Sequence, residues 1–231
     1  YQTMHDSITR GLTNDGIIHG ELGVKRKAKS ILNKKIFNET SDIKDKRIIC
    51  AYAYAVNEEN ACGGEVVTAP TCGASGTLPS VMKHYEDKNI YSHEQIINAL
   101  ATAGLIGNLI KFNGSISGAE VGCQGEVGSA CVMAAAFASE LEGLSLDQIE
   151  IACEIALEHH LGLTCDPIKG YVQIPCIERN AVAALRAIDA KTLATILNYE
   201  DSKISLDLAI KTMLQTGKDL DNRYRETSEG G

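Results

Sequence analysis

Five glycines, two carboxylates and two thiols are concentrated in the stretch Asn113-Gly-Ser-Ile-Ser-Gly-Ala-Glu-Val-Gly-Cys-Gln-Gly-Glu-Val-Gly-Ser-Ala-Cys131. Its five glycines allow positive φ angles and the close approach of other groups to the backbone. Cys123 lies between Gly122 and Gly125, so little side-chain bulk shields its sulfur. We therefore expect a loop that presents a thiol, followed by a helix of small residues from Val127 to Leu141, which suits close contact between helices.

Two further cysteines have unusual surroundings. Cys165 lies in Leu-Thr-Cys-Asp-Pro, and Cys176 lies in Gln-Ile-Pro-Cys-Ile-Glu-Arg-Asn. We interpret Cys123, Cys165 and Cys176 as thiols that meet in space. Cys176 follows Pro175 at a predicted helix start, where the helix dipole favours a thiolate. The separations of 42 and then 11 residues match no zinc-finger or ferredoxin pattern, so from spacing alone three unrelated free thiols are the alternative.

Composition excludes several classes of protein. The 231 residues are 44% hydrophobic and 23% charged, which is typical of a soluble globular protein. A net charge of −8 without an offsetting basic run argues against nucleic acid or an anionic membrane as partner. No apolar run approaches the roughly 20 residues that span a bilayer. The segment Tyr1 to Asp6 does not resemble a signal peptide and does not begin with Met, which is consistent with a fragment of something longer.

Eight cysteines in such a chain require an explanation. A secreted disulfide scaffold is normally shorter and richer in cysteine. Cys50, Cys62, Cys131 and Cys153 lie in apolar helical contexts, where buried thiols behave as small hydrophobic groups. We therefore expect a reducing cytoplasm, in which cysteines outside a core bind metals or act in catalysis.

Helical spacing recurs along the chain and alternating strand patterns are scarce, which predicts an all-α fold: a single mainly helical domain with Gly-rich loops between helices. Two capping boxes, Ser92 to Gln95 and Ser145 to Gln148, mark helix starts. The helix after the second box is expected to carry His160 on its apolar face and to stop at Gly162. The polar tail Arg223 to Gly231 is expected to be loosely held.

A turn rich in small and hydroxyl residues runs from Thr68 to Thr77 and leads into a predicted helix from Pro79 to Tyr85. Backbone N–H groups at such a helix start, together with Thr and Ser hydroxyls, form a cradle for an anion. The alternative is a capped turn without a ligand.

Four motifs resemble the catalytic α domain of the iron–sulfur-dependent L-serine dehydratases. They are Thr68-Ala-Pro-Thr-Cys-Gly-Ala-Ser-Gly, Ser115-Ile-Ser-Gly-Ala-Glu-Val-Gly-Cys-Gln-Gly-Glu-Val-Gly, Leu161-Gly-Leu-Thr-Cys-Asp-Pro and Gln173-Ile-Pro-Cys-Ile-Glu-Arg-Asn. The resemblance covers nearly the whole chain. It implies an all-helical, oxygen-sensitive lyase of amino-acid degradation and gluconeogenesis that holds a [4Fe–4S] cluster. Such enzymes convert L-serine to pyruvate and ammonia without pyridoxal phosphate.

The resemblance also implies site residues. Cys123, Cys165 and Cys176 fall on the three positions of the cluster ligands. The substrate-binding residues expected from the turn and from the start of the central stretch are Thr68, Thr71, Ser75, Gly76, Asn113 and Ser115. Three cysteines for four irons leave one iron with an open position, which would act as a Lewis acid on the hydroxyl of serine.

Lys111 and His159 match family motifs and are the candidate bases for the Cα proton. The pKa of a histidine suits proton transfer near neutrality, but His159 also reads as an ordinary helix-end residue. Lys111 needs a lowered pKa to act as a base, and its alternative role is a charge at a helix C-terminus. Either residue would also suit orientation of the substrate carboxylate. Glu120 and Glu126 are interpreted either as hydrogen-bond acceptors next to the cluster ligands or as surface charges.

Relative to the family, residues 1–231 are expected to form the catalytic domain without the regulatory α+β domain. That domain is then a separate partner subunit or has been cut away. The C-terminal tail, which in some relatives brings a cysteine to the fourth iron, is also missing from the expected domain. Small-residue helices leave surface for a partner, so a homo-oligomer is expected.

Other functions stay open at this point. A pyridoxal-phosphate dehydratase is disfavoured because no Gly-rich phosphate loop accompanies the lysines near the motifs. A helical domain that uses the three thiols for zinc or redox sensing is the non-enzymatic alternative. A related lyase acting on L-cysteine or L-threonine fits the same motifs.

Overall fold

The computed structural model describes residues 1–198, 200 and 202–230. Within these ranges the chain forms ten α-helices, and its only β-pairing consists of two isolated bridges. The α-helices, in chain order, are α1 (Gln2–Thr13), α2 (Ala28–Leu32), α3 (Ser41–Ala61), α4 (Thr77–Asp87), α5 (His93–Asn113), α6 (Gly118–Val121), α7 (Cys123–Leu141), α8 (Leu146–Glu158), α9 (Cys176–Ile196) and α10 (Leu206–Asp219). The all-α prediction is confirmed.

Helix α7 lies at the centre of the fold and contacts α4, α5, α6, α8, α9 and α10. All of its residues are buried except Glu126 and Glu140. Its Ala, Gly, Ser and Cys side chains are short, so neighbouring helices approach its backbone closely on every side. The helix begins at Cys123, four residues before the predicted start at Val127. The thiol expected in a loop is therefore the first residue of the central helix.

Local sequence signals fix the starts of two helices that flank the centre. Ser92 and Ser145 each accept a hydrogen bond from the backbone of the residue three positions on, and the Gln95 and Gln148 side chains accept in return. Both predicted capping boxes are confirmed. They satisfy backbone N–H groups that would otherwise lack a partner at the first turns of α5 and α8.

The end of α8 differs from the prediction. The helix stops at Glu158, and His159 is already outside it with ψ near 4°. Gly162 does not cap the helix; with φ of 81° it redirects the following loop. His160 lies beyond the helix end yet is 4% exposed, so its predicted place in the core is confirmed. Because α8 ends at Glu158, the loop that follows it can reach the start of α7.

Burial lowers the pKa of His160 to about 4. The neutral ring is thus favoured in the folded chain, and the unfolded chain binds a proton first as pH falls. The free energy of unfolding should decrease by up to about 3 kcal/mol between pH 7 and pH 4 through this residue. Denaturant unfolding of His160→Gln should show a weaker pH dependence than wild type. The exposed His93→Gln serves as control, and equal slopes for wild type and His160→Gln would contradict the assignment.

The C-terminal segment is tied to the loop that carries Cys165, which corrects the expectation of a loosely held tail. Cys165 N donates to Tyr224 O over 2.9 Å. The buried carboxylate of Asp166 accepts from Ser228 N at 2.5 Å and from Gly230 N at 2.6 Å. The composition of the sequence predicted only a polar tail. The hydrogen bonds that hold this tail join residues far apart in the sequence, so they form only in the folded chain.

Helix α5 packs one face against α7 and leaves the opposite face exposed. Leu105 is 60% exposed and Phe112 is 81% exposed. Among the described residues it is also the one helix long and apolar enough to cross a membrane by length and composition alone. An exposed apolar face of this kind also suits a protein partner.

Candidate metal centre

Two of the three predicted ligands are the first residues of helices. Cys123 is the first residue of α7, and Cys176 is the first residue of α9. Cys165 lies in the loop between α8 and α9. All three thiols are buried, with 1%, 7% and 3% exposure for Cys123, Cys176 and Cys165. Helices α7 and α9 pack against each other.

A compact group of ligand atoms forms around Glu126. The sulfurs of Cys123 and Cys165 and a carboxylate oxygen of Glu126 lie within 4.8 Å of one another. Glu126 Oε2 is 4.0 Å from Cys123 Sγ and 3.6 Å from Cys165 Sγ. Since residues 123 and 126 are one turn apart on α7, both side chains face the same side of that helix.

Cys176 approaches this group without joining the 4.8 Å set. Burial, together with the nearby charges of Cys123 and Glu126, raises its pKa to about 12. The backbone N–H at the helix start lowers the pKa of Cys176, as the sequence predicted, but burial outweighs this contribution. A bound metal would reverse this balance, since coordination deprotonates a thiol.

The loop that carries Cys165 is anchored on the first turn of α7. Gly122 has φ of 75°, and a Cβ there would lie 2.6 Å from Leu163 O. Gln124 N donates to Leu163 O over 3.3 Å, while the Gln124 side-chain oxygen accepts from Gly162 N at 2.9 Å. Arg179 Nη1 donates to Thr164 O over 2.6 Å from the side of α9. These bonds hold Cys165 between the two helix starts.

The hydroxyl-rich turn borders the same group. Thr71 Oγ1 donates to Glu126 Oε1 over 2.5 Å and accepts from Ala74 N at 3.2 Å. The Thr71 bond orients the carboxylate so that its other oxygen faces the two sulfurs. Burial raises the pKa of Glu126, and the nearby charge of Glu226 raises it further.

Gly118, at the start of α6, faces the centre of the group. A Cβ at this position would lie 2.8 Å from Cys165 Sγ, 3.1 Å from Glu126 Oε2 and 2.3 Å from Glu226 Oε1. Only a glycine leaves this space free. The pocket between the sulfurs and carboxylates is thus bordered by both segments that the sequence singled out.

The other predicted substrate-binding residues differ in their exposure. Thr68 and Asn113 are exposed, whereas Gly76 is buried. Ser75 is also buried, and its hydroxyl has no hydrogen-bond partner among the described residues. Ser115 is 5% exposed and donates to Glu120 Oε2 over 2.6 Å. Of the predicted set, Thr71 is the residue whose side chain contacts the ligand group.

Neither candidate base is seen to touch this group. Lys111 is exposed in the last turn of α5. His159 is exposed and lies with Arg186 and Asp189 in a surface groove between α8 and α9. Its ring Nδ1 is 2.9 Å from Ile155 O, one turn back on α8. The alternative reading of His159 as a helix-end residue describes this position well.

Comparison with known proteins decides the family. A model described as "Serine dehydratase alpha chain" matches residues 1–231. The chain belongs to the serine dehydratase alpha chain family. It is 48% identical over 235 residues to L-serine dehydratase TdcG of Escherichia coli (strain K12). Identity is 49% over 235 residues to L-serine dehydratase of Haemophilus influenzae, and 49% over 232 residues to that of Streptomyces coelicolor.

All three alignments cover 100% of this chain. They cover 52% of the Escherichia coli protein and 51% of each of the other two. The chain therefore spans about half the length of the relatives it matches.

Sequence reasoning missed one residue that organises the site of this alpha chain. Asn180 is fully buried on α9. Its Nδ2 donates to Gly73 O over 2.8 Å and to Cys176 O over 2.9 Å. Its Oδ1 accepts from Gly76 N at 3.2 Å and from Thr77 Oγ1 at 2.9 Å. One amide thereby joins the hydroxyl-rich turn to the helix start that carries Cys176. A polar residue four positions after a cysteine was the only signal in the sequence.

Replacing Asn180 with alanine should destabilise the fold strongly. The groups it pairs would stay buried without partners, and each such group costs about 1–3 kcal/mol. We expect a loss of about 3 kcal/mol or more in the free energy of unfolding, measured with denaturant. Asn108→Ala, on the exposed face of α5, is the control and should change stability by less than about 0.5 kcal/mol. Equal stabilities for the two variants would contradict the role of Asn180.

Proposed function

We propose that this chain converts L-serine to pyruvate and ammonia, with a [4Fe–4S] cluster held by Cys123, Cys165 and Cys176. Family membership and relatives named L-serine dehydratase support the reaction. The convergence of Cys123 and Cys165 on one buried pocket is the structural observation that carries the proposal.

The residues present fit a cluster in three respects. The donors are thiols, which iron–sulfur clusters require. Gly118 leaves open a space that a single Cβ would fill. The third thiol, on Cys176, is close enough for the charges of Cys123 and Glu126 to shift its pKa.

The protein's own groups would bind and orient the substrate. When bound, the cluster supplies a Lewis acid for the hydroxyl on Cβ. The turn around Thr71 offers backbone N–H groups and the hydroxyl of Ser75, unpaired among the described residues, to the carboxylate of serine, since the Thr71 hydroxyl is donated to Glu126. Loss of the Cα proton and of hydroxide from Cβ gives an enamine. Its imine tautomer reacts with water to yield pyruvate and ammonia, so the atoms balance without an oxidant.

Lys111 and His159 remain our proposed candidates for proton transfer or carboxylate binding. The test is turnover of Lys111→Met and His159→Gln in enzyme that retains its visible cluster absorbance. A residue that moves the proton would lower kcat, whereas one that orients the carboxylate would raise KM. Unchanged kinetics would remove that residue from the mechanism.

A regulatory partner domain or subunit, and a second copy of the chain, are proposed partners. The relatives are about twice as long as this chain, which leaves room for a further domain. The exposed apolar face of α5, with Leu105 and Phe112, offers a surface for such contacts.

Pyruvate formation by the anaerobically reconstituted chain tests the proposed reaction. L-Serine, L-threonine and L-cysteine should be compared at equal concentration, with and without the other half of a relative added as a separate protein. We expect turnover of L-serine to exceed that of the other two. Preference for cysteine or threonine would redirect the proposal to a related lyase, and inactivity in every arm with an intact cluster would refute it.

A further inference from the structure

We propose that Gln173 binds the ammonium group of the amino-acid substrate, in a surface cavity that leads to Glu126. The cavity has a volume of about 450 Å³ and lies between the end of α3 and the turn formed by residues 171–173. The inference rests on the proposed function, because it names the residue that would recognise the substrate of that reaction.

The cavity extends from the protein surface to the carboxylate of Glu126. His19 and Cys72 line it and are exposed, whereas Gly73 and Gln173 line it and are buried. A Cβ on Gly73 would lie 2.5 Å from Glu126 Oε1. The other oxygen of this carboxylate faces the two sulfurs of the metal centre, so a small molecule that enters the cavity comes up to the edge of that centre.

The side-chain amide of Gln173 has one half paired and the other half free. Gln173 is 2% exposed, and its Nε2 donates to His19 O over 2.7 Å. Its Oε1 is buried and accepts no hydrogen bond from any described residue. Buried side-chain oxygens normally have a partner, so this oxygen indicates a donor supplied by a ligand.

The backbone around Gln173 holds this oxygen in place. Gln173 O accepts from Ile177 N over 3.0 Å in the first turn of α9, and Gln173 N donates to Tyr171 O over 2.7 Å. The ring of Tyr171 packs on Gly20, where a Cβ would lie 2.8 Å from Tyr171 Cε1. The wall of the cavity is therefore fixed to the helix that begins with Cys176, and the amide needs little reorganisation to bind a ligand.

The chemistry of the cavity suits the ammonium end of a zwitterion. Among the described residues that line it, none is Asp, Glu, Lys or Arg, so the wall repels neither charged end of an amino acid. A free amide oxygen only accepts hydrogen bonds. The carboxylate of serine offers no donor, and its hydroxyl is assigned to the cluster. The ammonium group, with three N–H donors, is therefore the partner of Gln173 Oε1.

Cys72 provides a measure of binding that does not depend on turnover. It is exposed in the cavity wall, so a bound amino acid should shield it from iodoacetamide. We expect L-serine to slow alkylation of Cys72 in the anaerobically reconstituted chain, measured by mass spectrometry of the peptide that carries it. Cys50 is the internal reference, because it lies about 16 Å from Ala61 along α3 and should react at an unchanged rate.

Gln173→Leu tests the role of the amide oxygen. The concentration of L-serine that gives half-maximal protection of Cys72 should rise about tenfold or more, because a site built to bind an N–H group depends on that bond. The value for 3-hydroxypropionate, which is serine without its ammonium group, should stay within about threefold of wild type. In turnover, KM for L-serine should rise with little change in kcat.

Lys169→Ala is the matched control for loosening the same turn. Lys169 forms an exposed ion pair with Glu21 at 3.0 Å, which joins the turn to the segment that carries His19. Its loss should leave both half-protecting concentrations within about threefold of wild type.

The inference is overturned if L-serine leaves the alkylation rate of Cys72 unchanged in wild type. It is also overturned if Gln173→Leu leaves the serine value unchanged, or raises the values for serine and 3-hydroxypropionate equally, since the residue would then shape the cavity without recognising the ammonium group. Protection that depends on Gln173 without pyruvate formation would support this inference and refute the proposed reaction, so the two fail separately.

Discussion

Cys165→Ala should abolish both the visible iron–sulfur absorbance and the deamination of serine. Cys165 is buried at 3% exposure, and its sulfur lies in the group formed with Cys123 and Glu126. An alanine would leave the cluster with two of its three cysteines, too few to retain an iron–sulfur centre. We expect activity to fall to background in anaerobically reconstituted enzyme.

Cys153→Ala is the matched control for that experiment. Cys153 is also fully buried, but it lies on α8 with its sulfur 4.0 Å from Val132 O, in the packed core. Its replacement removes one buried sulfur and leaves the pocket unchanged, so absorbance and turnover should persist. Wild-type iron content in Cys165→Ala would show that Cys165 is not a ligand.

Gly118→Ala should have an effect nearly as large without removing any ligand. The added methyl group would lie 2.8 Å from Cys165 Sγ and 3.1 Å from Glu126 Oε2, both tighter than ordinary contacts. The methyl group would push the sulfur and the carboxylates away from their present positions. We expect cluster content and turnover to fall at least about tenfold, since even small misplacements in an active site carry such costs.

Gly104→Ala provides the comparison for Gly118→Ala. Gly104 lies within α5, and a Cβ there would meet no atom within 4 Å. Alanine should stabilise that helix by about 0.5–1 kcal/mol and leave the metal content unchanged. Full cluster loading of Gly118→Ala would mean that the metal does not occupy the space beside Gly118.

Much of the fold was predictable because its signals are local. Capping boxes at Ser92 and Ser145 and the helical spacing of apolar residues depend on neighbours a few positions away. The start of α7 was predicted four residues late, because a glycine-rich sequence resembles a loop. Only the folded chain shows that Gly122 turns the backbone against Leu163 and starts the helix immediately.

The three thiols of the site could be predicted from the sequence, but the other residues of the site could not. Cys123, Cys165 and Cys176 stand out by their surroundings in the sequence. The contacts of Asn180 and of the C-terminal segment join residues about 60 to more than 100 positions apart, and no local pattern encodes them. For Cys176 the sequence shows the helix start, which favours the thiolate, but not the burial that outweighs it.

The iron and acid-labile sulfide content of the anaerobically purified and reconstituted chain tests the central claim most directly. If Cys123, Cys165 and Cys176 together hold a [4Fe–4S] cluster, wild type should contain about four of each per chain, and Cys176→Ala should contain neither in stable form. After the same reconstitution, one zinc per chain without sulfide, or a covalently trapped pyridoxal cofactor without iron, would contradict the account.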